Sequence, residues 1–391
     1  MKTTSASIHP SSFIPHPSYD VLIIGGGIVG IACARECALG GLRVAIIERA
    51  VIGGGATAEG MGHIVVMDDS EAQFALTHYS QQLWQELASE WPATAEYEQC
   101  GTLWVAADDE EMAEVYRKRE FYGARGIASE ALDAQQLAEA EPHLRPGLAG
   151  GLFVPSDGVS YPPCAAGYLL AEAERHGAQL ILGKTVAAIK NDGVQLSDGT
   201  SLAARFIVNA TGSWSPELTP GIDVQKRKGH LVITDRYPGF VRHQLIELGY
   251  LKSAHSHNSA SVAFNAQPRK TGQILIGSSR QFGVTSRNVD PPMLAWMLRR
   301  AAGYMPEITQ LSAIRVWTGF RAATSDHLPL IGPYPGSNNL YLATGHEGLG
   351  ITTSLGTGRL LADQLLQRPT AIPFEPYLPS RASVQKEAAH G

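Results

Sequence analysis

The sequence predicts an α/β unit with a parallel sheet, combined with an α+β unit built on an antiparallel sheet. Three observations carry this. Val21 to Ile24 is an apolar, β-branched run suited to a buried parallel strand, and the chain then turns through Gly25, Gly27 and Gly30 into a helical stretch, Ile28 to Leu39. "RVAIIE", ending at Glu48, is a second apolar strand and closes a strand–helix–strand unit. "GTLWVAA", "GGLFVP", "KGHLVIT", "SVAFN" and "GQILIGSS" are short strand-like runs separated by turns, the pattern of an antiparallel sheet.

At 391 residues the chain exceeds the roughly 250 to 300 at which one hydrophobic core stops growing, so two domains or one elaborated domain are expected. With 44% hydrophobic and 17% charged residues it belongs with globular proteins, away from the disordered class. Its 41 glycines exceed the usual share of roughly 7%, which points to many close approaches of the backbone. A net charge of -6 without a long basic run excludes nucleic acid as a partner. Cys33, Cys37, Cys100 and Cys164 form no CxxC pair, so neither an iron–sulfur cluster nor zinc is expected, and a reduced cytoplasmic location fits. Cys33 and Cys37 are expected to pack as small apolar residues. His255 and His257 in "SAHSHNSAS" are expected to lie in a polar loop and to bind no metal. Residues 1–18 and 379–391 are expected to be tails. The longest apolar run, Val21 to Ala34, is too short to span a membrane.

GxGxxG alone is weak, but here it follows a strand, opens a helix and leads to a second strand. Gly25 permits the tight turn, Gly27 lets the backbone approach a pyrophosphate, and Gly30 lets the helix pack on the strand. Ile28 and Val29 sit at the helix start, where unpaired N–H groups and a partial positive charge favour phosphate. Glu48, 18 residues past Gly30, stands where a carboxylate accepts hydrogen bonds from a ribose 2'-hydroxyl, and Arg49 follows it. A dinucleotide with an unphosphorylated ribose is the expected ligand. Two further segments favour FAD over NAD. "GGGATAEGMGHIV" (53–65) is glycine-rich and carries Ala56, Thr57, Gly60 and Met61; "ARFIVNATGSWS" runs a buried strand into Ala210, Thr211, Gly212 and Trp214. An extended flavin needs both.

"DVLIIGGGIVG", "IVNATGSW", "PRKTGQILIGSS", "WTGFRAATSDHLPLIGP" and "GHEGLGITTSLGTGRLLAD" follow the order seen in the FAD-dependent amine and amino-acid oxidoreductases, the group of D-amino-acid oxidase, glycine oxidase and sarcosine oxidase. The resemblance covers residues 19 to 378. "GATAEGMGHIVVMDDS" and "GHEGLGITTS" look most like bacterial D-hydroxyproline dehydrogenases, with opine oxidase and hydrogen cyanide synthase flavin subunits close behind. It implies a Rossmann-like FAD-binding domain (19–95, 157–220 and 324–378) interleaved with an antiparallel-sheet substrate domain (96–156 and 221–323). "DDEEMAEVYRKREFYGA" and "DAQQLAEAEPHL" are read as helices with solvated outer faces.

The resemblance also implies site residues. Val186 joins the FAD contacts, and Gly345, Gly348, Leu349, Gly350, Ile351 and Thr352 pass the isoalloxazine, with a helix starting near Ile351 aimed at its N1 and C2 carbonyl. Arg321 matches the arginine that holds a substrate carboxylate, and His346 and Glu347 stand beside the ring, placed to orient a ring hydroxyl or the substrate nitrogen. The reaction implied is hydride transfer from the carbon bearing the amine to flavin N5. D-Proline or cis-4-hydroxy-D-proline is the favoured substrate, because glycine oxidases carry an arginine where Gly348 stands and an aromatic residue near Asn265. The alternative is a flavin subunit of an opine oxidase, glycine oxidase or hydrogen cyanide synthase complex. Sarcosine oxidases bond FAD to a cysteine at about Arg315 to Trp317, which this chain lacks, so noncovalent FAD is expected. They also place a lysine where residues 276–282 read "IGSSRQF", which points to a partner redox subunit or a quinone as electron acceptor, in the cytoplasm or peripheral to the inner membrane.

Overall fold

The computed structural model describes residues 19–249 and 260–381. His255 and His257 lie outside the described residues, as do the two expected tails, apart from residues 379–381.

Two eight-stranded sheets organise the chain. In the first, Tyr19–Ile24 sits centrally, parallel to Val44–Glu48 on one side and to Ser201–Asn209 on the other. Gln179–Leu182 extends it in parallel beyond Val44–Glu48, and Leu340–Thr344 extends it beyond Ser201–Asn209. Val21 to Ile24 are almost wholly buried, as a parallel strand covered on both faces requires. The helix Ile28–Leu39 packs against Pro162–Arg175 and Ser354–Leu365. Its contact with the latter is close because position 358 has no side chain: a Cβ on Gly358 would come within 2.6 Å of Ala32 O. A Cβ on Gly356 would likewise meet Ser80 Oγ at 2.2 Å, on the helix Glu71–Glu86. Two glycines of the late glycine-rich stretch therefore serve helix packing. Cys33 and Cys37 are buried in this core, where burial pushes the Cys37 thiol up to about 12.

The second sheet runs in the order Ala313–Ala323, Gln225–Thr234, Ile274–Phe282, Ser261–Pro268, Gln244–Glu247, Thr102–Ala106, Gly150–Val154, Glu130–Asp133. It is antiparallel except where Gln244–Glu247 meets Thr102–Ala106. The helix Pro291–Tyr304 covers one face, with Tyr304 stacked on Phe264 at 4.9 Å. The runs read as strands in the sequence are all present, and three of them are longer: "SVAFN" continues to Pro268, "GQILIGSS" continues to Phe282, and the strand of "KGHLVIT" begins at Gln225.

Two sequence expectations need correction. The helix Asp109–Gly123 is not simply a solvated face, because it buries Val115, Tyr122 and, completely, Lys118. Lys118 pairs with the buried Asp68 and lies 4.7 Å from the centre of the Trp104 ring, which is why a charged residue is tolerated there. The late helix begins at Ser354 rather than near Ile351, since Thr353 N–H turns back to Leu349 O and Ser354 N–H to Ile351 O. Among the described residues, no helix is long and apolar enough to cross a membrane.

Candidate active site

The glycine turn is built as its spacing suggests. Gly25 adopts φ +111°, and a Cβ there would press on Ala210 O at 2.6 Å. Gly30 has no room at all, since its Cβ would fall 2.1 Å from Gly25 O. Gly27 differs: within 4 Å of its Cβ position stands only Thr57 Oγ1, at 3.4 Å, and that direction belongs to a large cavity. Thr57 Oγ1 accepts from Ile28 N–H at 3.0 Å, tying the second glycine-rich segment to the first helix. The Glu48 carboxylate accepts from Gly26 N–H and Ala50 N–H, both at 2.7 Å, and retains further lone pairs for a ribose. The Arg49 guanidinium stands 5.0 Å from the Trp214 ring centre.

From this turn a cavity of about 990 Å³ runs to the segment 345–351 and on into the second sheet. That is the top of the usual range for small-molecule sites. Every residue assigned to the cofactor from the sequence lines it except Gly30 and Thr352. Gly30 is spent on packing. Thr352 acts as a tether, its hydroxyl donating to His63 O at 2.7 Å and its carbonyl accepting from Trp84 Nε1 at 3.1 Å.

Arg321, His346 and Glu347 also line the cavity, in three different settings. Arg321 projects from the edge strand of the second sheet and donates from Nη1 to Ser279 O at 3.1 Å. It crosses Gly229, where any Cβ would collide with its Nη1 at 2.3 Å. His346 is buried, with Nε2 3.0 Å from Thr357 Oγ1, and burial pushes its pKa down to about 3, so the ring is neutral. Glu347, at φ +50°, is committed to neighbours: its carboxylate pairs with buried Arg227 and with His327 Nδ1 at 2.8 Å, and its N–H donates to Ala322 O. Arg227 stands directly opposite Arg321 in the strand register.

Sequence reading missed His63 and Trp104 among the lining residues, while Asn265 and the 276–282 run holding Ser278 and Arg280 entered only as departures from relatives, with no role assigned. His63 lies inside the second glycine-rich segment, where the glycines drew attention and the histidine did not. Asn265, Ser278 and Arg280 sit on strands whose pattern announces only β structure. Six side chains lining the cavity keep a buried polar atom without a hydrogen-bond partner: Glu59, His63, Gln73, Trp104, Ser213 and Asn265. An open cradle at Gly27 and polar atoms awaiting partners along the same cavity fit an extended dinucleotide with a polar substrate beyond it. Among the described residues, no group of three or more His, Cys, Asp or Glu side chains is arranged to hold a metal ion.

The FAD dependent oxidoreductase (DAO) family model matches residues 20–364. The chain belongs to this family. As a DAO-family flavoenzyme it binds FAD noncovalently and oxidises CH–NH donors of amino-acid type, the flavin accepting a hydride. It is similar to glycine oxidase of Geobacillus kaustophilus, 30% identical over 375 residues that cover 92% of this chain and 96% of that one. The crystal structure of glycine oxidase from Geobacillus kaustophilus matches with a TM-score of 0.83, covering 93% of this chain and 98% of the other. Hydrogen cyanide synthase subunit HcnC of Pseudomonas aeruginosa is 28% identical, over 93% of this chain and 96% of its own. These relatives place the chain in the amino-acid branch without singling out D-hydroxyproline dehydrogenases.

Proposed function

We propose that this flavoenzyme oxidises the C–N bond of a small α-amino acid, in the manner of the glycine oxidase and hydrogen cyanide synthase relatives, with Arg321 holding the carboxylate. The observation that carries the reading is the setting of Arg321: a guanidinium inside the cavity, braced on Ser279 O and running beside the 345–351 segment. A guanidinium offers a carboxylate two parallel donors, which a lysine does not. Bound FAD supplies the hydride acceptor, and the imine formed is open to hydrolysis by water. In this division of work Gly25, Gly27, Glu48 and Thr57 hold the adenine-nucleotide end, Ala210 to Trp214 the middle, and Gly345 to Ile351 the ring. Residues 19–95, 157–220 and 324–378 make up the FAD unit, and 96–156 and 221–323 the substrate unit. Glu347 then serves as a brace for Arg227 and His327, and His346 as a buried neutral support, both acting on the loop and neither on the substrate.

A second reading, a cyclic secondary amine such as D-proline or cis-4-hydroxy-D-proline, draws on Gly348. A Cβ there would meet nothing closer than Arg321 Nε at 3.7 Å, so the position leaves room beside the clamp that a larger ring can use. The purified holoenzyme with a dye acceptor, assayed against glycine, sarcosine, D-proline, cis-4-hydroxy-D-proline and octopine, decides between them. Turnover of glycine or sarcosine supports the first reading, and turnover confined to the two prolines the second. Failure of every amino acid to bleach the flavin anaerobically overturns both.

A further inference from the structure

Two of the unpartnered buried atoms stand at the Arg321 end of the cavity: Asn265 Oδ1, an acceptor, and His63 Nε2, which accepts in the Nδ1–H tautomer of the ring. Asn265 is 5% exposed; its Nδ2 donates to Ser278 Oγ at 3.3 Å, leaving Oδ1 over. The segments bearing the two residues are packed together. Gln267, two residues along from Asn265 on the same strand, donates to Met61 O at 2.8 Å. Gly277, opposite Asn265 in register, lies so close that a Cβ would come within 3.4 Å of Met61 Sδ. His63 is fixed at its carbonyl by Thr352 and pairs with Val159 in a short antiparallel ladder. Burial, helped by the charge of Arg321, holds its pKa down to about 3, so the ring is neutral and has one nitrogen to accept with.

A buried acceptor left unmade is costly, so two of them in one ligand cavity call for a ligand that brings donors. Arg321 in the same space is purely a donor. Acceptors and a cationic donor together are the complement of an amino acid, which carries N–H groups and a carboxylate on one carbon. We infer that His63 Nε2 and Asn265 Oδ1 accept the N–H groups of the substrate nitrogen, forming the amine-recognising half of a site whose carboxylate-recognising half is Arg321. The inference rests on the amino-acid reading above and sharpens it: two acceptors select a primary amine or a protonated secondary amine and disfavour a tertiary amine.

The test uses the flavin-loaded enzyme and its His63→Ala, His63→Gln and Asn265→Ala variants. Anaerobic flavin bleaching is followed with glycine, D-proline and N,N-dimethylglycine, and binding of acetate, a carboxylate without nitrogen, is followed by the flavin absorbance. Wild type should be bleached by glycine or D-proline and far more weakly by N,N-dimethylglycine. Each alanine variant should raise the half-saturating amine concentration roughly tenfold or more, with acetate binding unchanged within twofold. His63→Gln, whose amide oxygen still accepts, should recover part of the loss. Equal loss of amine and acetate, an unchanged amine response, or loss of FAD alone in all three variants overturns the inference. If His63→Ala does not retain flavin, Asn265→Ala carries the same comparison. Wild type that no amine bleaches removes the amino-acid reading itself, a result distinct from variants that behave as wild type.

Discussion

Gly27 and Gly30 stand three residues apart in one turn, and their surroundings give opposite outcomes for the same added methyl. At position 30 the new carbon would lie 2.1 Å from Gly25 O and 3.3 Å from Ala210 Cβ. Against ordinary contact at 3.4 Å the overlap is about 1.3 Å, and it falls on main chain that cannot rotate away. Gly30→Ala must lift the first helix off its strand, at about 3 kcal/mol, the upper part of the overpacking range. In a chain this large that lowers Tm by roughly 4 °C, with or without flavin. At position 27 the backbone has φ −73°, allowed for alanine, and the methyl meets only Thr57 Oγ1 at 3.4 Å. Flavin-free Gly27→Ala should therefore melt within about 2 °C of wild type, the small Gly-to-Ala backbone effects nearly cancelling. Its methyl fills the cradle proposed for the pyrophosphate, and loss of one charge-assisted hydrogen bond, about 1.5–3 kcal/mol, weakens FAD roughly 10- to 150-fold. Thermal melts of the flavin-free proteins and FAD titration by fluorescence quenching measure both quantities. FAD binding by Gly27→Ala within threefold of wild type would refute the cradle, and wild-type melting of Gly30→Ala would refute the packing argument.

Arg321→Lys keeps the charge but loses the planar donor pair, so its half-saturating substrate concentration should rise at least tenfold while the flavin spectrum is retained; an unchanged affinity in titration retires the clamp. Asp157 is buried, and burial raises its carboxyl from 3.8 to about 7. Because the folded pKa lies above the unfolded one, the native state holds a proton that the unfolded chain releases, and the stability tied to it is lost as pH rises from about 4 through 7. Asp157→Asn should thus gain Tm relative to wild type at pH 8 more than at pH 5, and parallel shifts at the two pH values contradict this. Lys118→Met leaves Asp68 buried with Arg117, 2.8 Å away, as its remaining cationic partner, and should cost about 3 kcal/mol in urea unfolding. A loss below 1 kcal/mol would mean that Arg117 alone satisfies the carboxylate.

What could be read from the sequence is what is local. The strand, turn, helix and strand from Val21 to Glu48 occupy neighbouring positions, and Gly25 and Gly30 do there what their spacing implies. Ala210 to Trp214 could be placed for the same reason, as a strand running into a turn. What escaped is made of partners far apart in the chain. Glu347 finds Arg227 across 120 residues, so its commitment to an ion pair is invisible from "GHEGLG". Gly229 exists to let Arg321 pass, yet it lies in a strand 92 residues away with no motif around it. Lys118 looked solvated because its helix is rich in charge, and only the fold brings Asp68 and Trp104 to it. The glycines from 345 to 359 serve two ends, since Gly356 and Gly358, unlike Gly345, Gly348 and Gly350, are contact points for helices from the first quarter of the chain.

The meeting of Gly358 with Ala32 has a consequence for biosynthesis. A ribosome delivers residue 32 early and residue 358 more than 300 positions later, an interval of tens of seconds at ordinary elongation rates. Throughout that time the opening helix has its strand but lacks the neighbour that covers its other side, and an apolar stripe of the nascent chain stays uncovered. Coenzyme capture should therefore be a late event in the life of each molecule, and a product ending before residue 354 is expected to retain flavin poorly, which the absorbance of the purified protein would measure.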